Sequence, residues 1–117
     1  MAALAVAAPA WAQGWITIGS AEIGDPSGQS TIAIRSDGSF REIMICVEQA
    51  GLHIQRASIS YRDGRTQPIR LRGRVADGDC TRSLALSGRN RAISAIDLGF
   101  DPASLGGARA RVQVVAR

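Results

Sequence analysis

The sequence predicts an all-β protein, an antiparallel β-sandwich of about eight strands. Jelly-roll and immunoglobulin-like strand orders, or a small barrel, fit the same pattern. Three observations lead there. Apolar and polar residues alternate with period two, and no useful window carries a helical stripe. Turn-forming dipeptides recur roughly every eight to twelve residues. No internal repeat, linker or low-complexity tract divides the chain, so its 117 residues hold one core.

The strands follow in order. W-I-T-I-G-S-A-E-I over 15–23 is the first, and a loop over 24–30 with Asp25-Pro26 ends it. A short second strand over 31–35 is closed by Asp37-Gly38, a strong hairpin dipeptide. The clearest core strand spans 40–49, because Ile43, Ile45 and Val47 share one face. Ala50-Gly51 turns the chain into a strand over 52–61, and Asp63-Gly64 signals another hairpin. The strand over 66–75 carries Pro68 near its start, which suits an edge, where a missing N–H is tolerated. Asp77-Gly78 precedes a strand over 81–86, and a turn over 87–91 leads into 92–100. A longer loop over 101–107 precedes the last strand, 109–115.

Residues 1–12 read as a signal peptide, with residues 13–117 as a single β-sandwich domain. The apolar run ends in Ala10-Trp11-Ala12, the small-x-small pattern of a cleavage site after Ala12. At roughly eleven residues it is too short for a bilayer, which needs about twenty. The basic n-region is missing, so the true start lies upstream of Met1 or the n-region is trimmed. The expected location is periplasmic or secreted, with no span through a membrane.

Composition narrows the chemistry. The net charge is +4, and all 14 basic residues are arginine. Either GC-rich coding or selection for bidentate anion recognition explains that bias. Without lysine, a P-loop, a Schiff base and a Ser–Lys dyad are all excluded. His53 is the only histidine, which excludes multi-histidine metal sites. No metal or cofactor is expected.

Cys46 and Cys80 form an even pair, which in an exported protein reads as a disulfide. Two separate buried thiols are the alternative. Closing a loop of about 35 residues contributes roughly 3–4 kcal/mol in the chain-entropy model.

The strongest local pattern is I-R-L-R-G-R-V over 69–75. Alternation puts Arg70, Arg72 and Arg74 on one strand face, and Arg109 and Arg111 make a similar pair. Were the two strands neighbours, five guanidiniums would line one sheet face and clamp phosphate or carboxylate groups. An ordinary solvated face, or charges that guard an edge strand, is the plainer reading. Nucleic acid is not expected, because the mature chain offers few aromatics for base stacking. His53 lacks a G-x-S-x-G partner, so no catalytic residue is assigned. Asp77 and Asp79 fall far short of a calcium shell and read as turn chemistry. Glu42 and Glu48 are too far apart on one strand for a glycosidase pair.

The segments W-I-T-I-G, F-R-E-I-M-I-C-V, I-S-Y-R-D-G, R-L-R-G-R-V-A-D-G, L-A-L-S-G and A-R-V-Q-V together resemble one group. It is a set of small exported bacterial β-proteins that share a domain of unknown function. The resemblance implies a periplasmic or extracellular β-sandwich and carries over no activity, cofactor or catalytic residue. Met44 and Cys46 depart from it, because that group places charges there. The departure predicts a covered face, with the loop bearing Cys80 as the cover.

The expected role is a non-enzymatic binding or structural module of the bacterial envelope. Its partner would be an anionic envelope component, such as lipid phosphate, or a protein. A small secreted hydrolase using His53 is the alternative from another class. A third is an accessory subunit whose apolar patch, including Met44, meets a protein partner.

Overall fold

Ile43, Ile45 and Val47 have no exposed surface, while Glu48 beside them faces solvent. That alternation builds β3 (Glu42–Glu48) and recurs around the core. The computed structural model describes residues 14–24, 26–88 and 91–117. The other strands are β1 (Ile16–Ile23), β2 (Gln29–Ala33), β4 (Leu52–Tyr61) and β5 (Thr66–Ile69). They are followed by β6 (Gly73–Val75), β7 (Leu84–Ala85), β8 (Ile93–Phe100) and β9 (Ala110–Ala116). A 3-10 turn, Pro102–Leu105, separates the last two.

Two antiparallel sheets pack face to face as a sandwich. The first has the order β1-β9-β3-β7, and the second β2-β8-β4-β5, with β6 also paired to β4. Neither closes into a barrel. Ile18, Ile23, Val112 and Val114 of the first sheet meet Ile32, Ile54, Ile59, Ile96 and Phe100 of the second in one apolar core. Burying each such side chain contributes about 1.5–3 kcal/mol, which makes this layer the main source of stability. The sides of the sandwich are stitched by hydrogen bonds. The Arg35 N–H donates to the Ile18 carbonyl at 2.8 Å on one side. On the other, Gln67 donates to the Ala85 carbonyl and accepts from the Ser87 N–H.

β4 contains a bulge. Its register against β8 shifts between Ile54 and Arg56, so Gln55 and Arg56 are both exposed between buried Ile54 and Ala57. An extra residue of this kind re-aims the side chains beside it.

Two expectations about connectivity are corrected. The strand over 66–75 is two strands, which raises the count from about eight to nine among the described residues. Asp37-Gly38 is not a hairpin turn, because β2 and β3 lie in different sheets. Asp77-Gly78 likewise carries the chain from one sheet to the other. Asp63-Gly64 does close a hairpin, between β4 and β5, with Gly64 at φ 89°. The segment read as a signal peptide, 1–12, lies outside the described residues, as do Asp25 and residues 89–90 of two expected turns.

Candidate functional site

The break between β5 and β6 creates the most distinctive polar surface. Pro68 opposes Ser58 and has no N–H to give to a further strand. Just beyond it, the Leu71 N–H donates to the Ile69 carbonyl at 2.9 Å in a tight turn. Leu71 drops into the core, so Arg70 and Arg72 stand exposed on either side of it. Gly73, at φ 139°, restarts the strand in a conformation that L side chains rarely adopt. Arg74 then pairs with His53 of β4.

The facing wall comes from the other sheet. Residues 78–81 run along the free edge of β3, held by Val47 N–H to Asp79 carbonyl at 2.9 Å and Thr81 N–H to Ile45 carbonyl at 2.8 Å. Cys46 and Cys80 form an isolated antiparallel bridge between these bonds, with their sulfurs at disulfide distance. This is the non-hydrogen-bonded type of cross-strand pair, in which side chains come closest. Thr81 is buried, and its hydroxyl accepts from the Ile45 N–H and donates to the Arg82 carbonyl.

Between the two walls lies a cleft of about 270 Å³, lined by Arg72, Arg74 and Arg82 with Leu71, Cys80 and Thr81. Arg82 Nη2 donates to the Arg70 carbonyl at 3.0 Å, which holds that guanidinium across the cleft. The ion pairs of the described residues use Arg62, Arg91, Arg109 and Arg117. Arg70, Arg72, Arg74 and Arg82 enter none of them. Arginines at three lining positions, none of them in an ion pair among the described residues, give the cleft a positive border of the kind that oxyanions fit, while the Arg74 guanidinium itself lies against Gly51 at the start of β4.

Arg109 and Arg111 lie elsewhere. β9 belongs to the first sheet and β6 to the second, so the five arginines do not share a face. Arg111 sits between Glu22 and Glu48 in the strand register, and Arg109 pairs with Glu22 at 3.8 Å. Acidic neighbours on both flanking strands cancel the charge of that pair. The loop bearing Cys80 is also not where the departure at Met44 and Cys46 predicted. It extends the edge of β3 rather than lying over its face.

His53 has a serine and an aspartate nearby, but both serve the backbone. Ser104 Oγ accepts from the His53 N–H at 3.0 Å and donates to the Asp101 carbonyl. The Asp101 N–H donates to the His53 carbonyl, and its carboxylate caps the 3-10 turn through Ala103. The exposed imidazole is not part of this arrangement, so no Ser–His–Asp array is assembled. Asp77 accepts from the Gln49 N–H at 2.8 Å, which is turn chemistry. Glu42 accepts from Ser83 and Arg117, and these two hydrogen bonds hold its carboxyl below the usual glutamate range.

A family model described as a domain of unknown function, DUF2541, matches residues 1–116. The chain belongs to this family. Among curated proteins, none matches it. Among solved structures, the DUF2541 chain is similar to AlgX of Pseudomonas aeruginosa, at 10% identity and a TM-score of 0.53. The likeness covers 87% of this chain but only 26% of AlgX, about a quarter of that protein's length. It supports the sandwich fold and nothing finer.

Within the DUF2541 site, Arg82 was the residue that sequence reasoning missed. It sits in no alternating run, and its position depends on the pairing of 78–81 with β3. The one local signal is its place two residues after Cys80, a residue expected to be tied to β3.

Proposed function

We propose that this DUF2541 domain is a non-enzymatic binding module of the bacterial envelope, periplasmic or secreted, that recognises phosphate-bearing groups. The observation that supports the reading is the cleft bordered by Arg72, Arg74 and Arg82, none of which enters an ion pair among the described residues. Guanidinium groups bind phosphate oxygens bidentately, so a cleft bordered by unpaired arginines suits a headgroup or a phosphorylated sugar better than a neutral ligand. Export is supported by the apolar Ala10-Trp11-Ala12 segment and by the cysteine pair at disulfide distance. Among the described residues, no helix is long and apolar enough to cross a membrane.

The test is binding of the purified domain to phosphatidylglycerol vesicles, phosphatidylcholine vesicles and inorganic phosphate. The expected result is salt-sensitive binding to phosphatidylglycerol and phosphate. It should fall about tenfold in the R72Q/R74Q variant and stay unchanged in R109Q/R111Q. Equal effects of the two double variants would reduce the interaction to net charge and overturn the assignment. Export is tested separately by the N-terminus of protein recovered from the periplasm, expected at Gln13.

A further inference from the structure

A groove of about 420 Å³ lies on the outer face of the second sheet. It shares no lining residue with the arginine cleft. Its floor is set by the strand register. Thr31, Asp97, Ser58 and Pro68 lie abreast on β2, β8, β4 and β5, and Gln29, Gly99 and Arg56 form the next rung.

Two opposite charges occupy this floor without meeting. Arg56 and Asp97 are diagonal neighbours on adjacent strands, roughly 7–8 Å apart by sheet geometry. They form no ion pair with each other, and neither pairs with another charged residue among those described. Each is fixed by its surroundings. The Thr31 hydroxyl donates to Asp97 Oδ1 at 2.6 Å, which orients the carboxylate and leaves its second oxygen open. The bulge in β4 turns Arg56 outward, and its side chain then lies flat across Gly99. A Cβ on Gly99 would sit 2.6 Å from Arg56 Cγ and 2.8 Å from Nε, so only glycine allows this pose. Glycine inside a strand weakens it and marks a close approach of another group. Here the approaching group is the arginine that borders the groove.

We propose that this groove is a second binding site, for a small zwitterion whose ammonium meets Asp97 and whose carboxylate meets Arg56. Charge complementarity selects this class. A simple anion would face the Asp97 carboxylate, and a simple cation the Arg56 guanidinium. A neutral polyol would leave both formal charges without a counter-charge. A short zwitterion satisfies both at once, and the hydroxyls of Thr31 and Ser58 and the Gln29 amide border the space between.

The experiment is a titration of 15N-labelled domain, followed by amide shifts, with glycine, β-alanine, 4-aminobutyrate and glycylglycine. Acetate, methylammonium and glycerol are the controls. The expected result is saturable shifts at Thr31, Asp97 and Gly99 with at least one zwitterion, about tenfold tighter than any control. D97N and R56Q each remove that preference while the rest of the spectrum is unchanged. G99A keeps both charges but displaces Arg56, and it is expected to weaken binding as well. The absence of saturable shifts with all four zwitterions would overturn the proposal. So would equal binding of acetate, which indicates a plain anion site, or of glycerol, which indicates a polyol site. D97N and R56Q change surface side chains, so they decide the matter even where G99A fails to fold.

Discussion

Arg82 reaches across the edge of the sandwich and donates from Nη2 to the carbonyl of Arg70 at 3.0 Å. Arg82 follows the segment paired to β3 of one sheet, and Arg70 lies in the break between β5 and β6 of the other. One hydrogen bond therefore joins the two walls of the cleft and places a guanidinium inside it. The same contact serves structure and the proposed recognition.

Removing that guanidinium should affect both. R82A is expected to lower stability by about 0.5–1.5 kcal/mol, the net value of one exchanged hydrogen bond. Phosphate binding should fall about tenfold, as for loss of one charge-assisted contact. Urea unfolding and a phosphate titration on the same preparation read the two effects. Unchanged phosphate affinity would remove Arg82 from the site.

The cysteine pair is expected to act on stability rather than on the shape of the cleft. Chain entropy assigns about 3–4 kcal/mol to a loop with a sequence separation of 34. The wall itself is also held by backbone bonds from Val47, Gly78 and Thr81. The C46S/C80S variant should therefore melt at a lower temperature and still bind phosphate within about twofold of the parent protein. Thermal melts with and without reductant, together with the titration, check both halves.

Glu42 predicts a pH effect with a definite sign. Hydrogen bonds from Ser83 and Arg117 lower its pKa from the ordinary value of 4.5. The folded carboxyl thus binds its proton less readily than the unfolded one. Its contribution is present above the ordinary glutamate value and is lost as pH falls through the lower folded value. E42Q should flatten the acid side of the stability profile and lower neutral stability by the same small amount, because solvent screens this half-buried surface group. Urea midpoints measured across the acid range test this.

Two glycines with positive φ should respond differently to alanine. Gly28, at φ 75°, would place a Cβ 2.7 Å from the Phe100 carbonyl oxygen, where backbone must shift. Gly64, at φ 89°, has nothing within 4 Å of that position. G64A should cost only the left-handed backbone penalty, about 1–2 kcal/mol, and G28A clearly more. Chemical denaturation of the pair gives the comparison, and equal losses would contradict the clash.

Much of the strand content was legible because it is written in local alternation. Ile43, Ile45 and Val47 reveal β3 whatever its neighbours are, since a strand with one buried face must read that way. The strand over 66–75 shows the limit of this rule. Arg70, Arg72 and Arg74 alternate correctly on paper, but Pro68 and Gly73 interrupt the ladder, and a single strand becomes two. Its alternation still located three of the arginines around the cleft.

What the chain by itself determined is the all-β class, most strand positions, the Pro68 edge and an arginine-only positive charge; it pointed to a Cys46–Cys80 pair but left two separate thiols open. Each determined feature depends on residues near in sequence or on composition. Only the tertiary structure decided which strands are neighbours. Asp37-Gly38 and Asp63-Gly64 are equivalent turn signals, yet one crosses between sheets and the other closes a hairpin. A turn dipeptide sets the local direction of the backbone, whereas sheet membership is settled by which apolar faces pack together. That packing sent Arg109 and Arg111 to strands rich in carboxylates, brought Arg82 to Arg72 and Arg74, and laid Arg56 over Gly99.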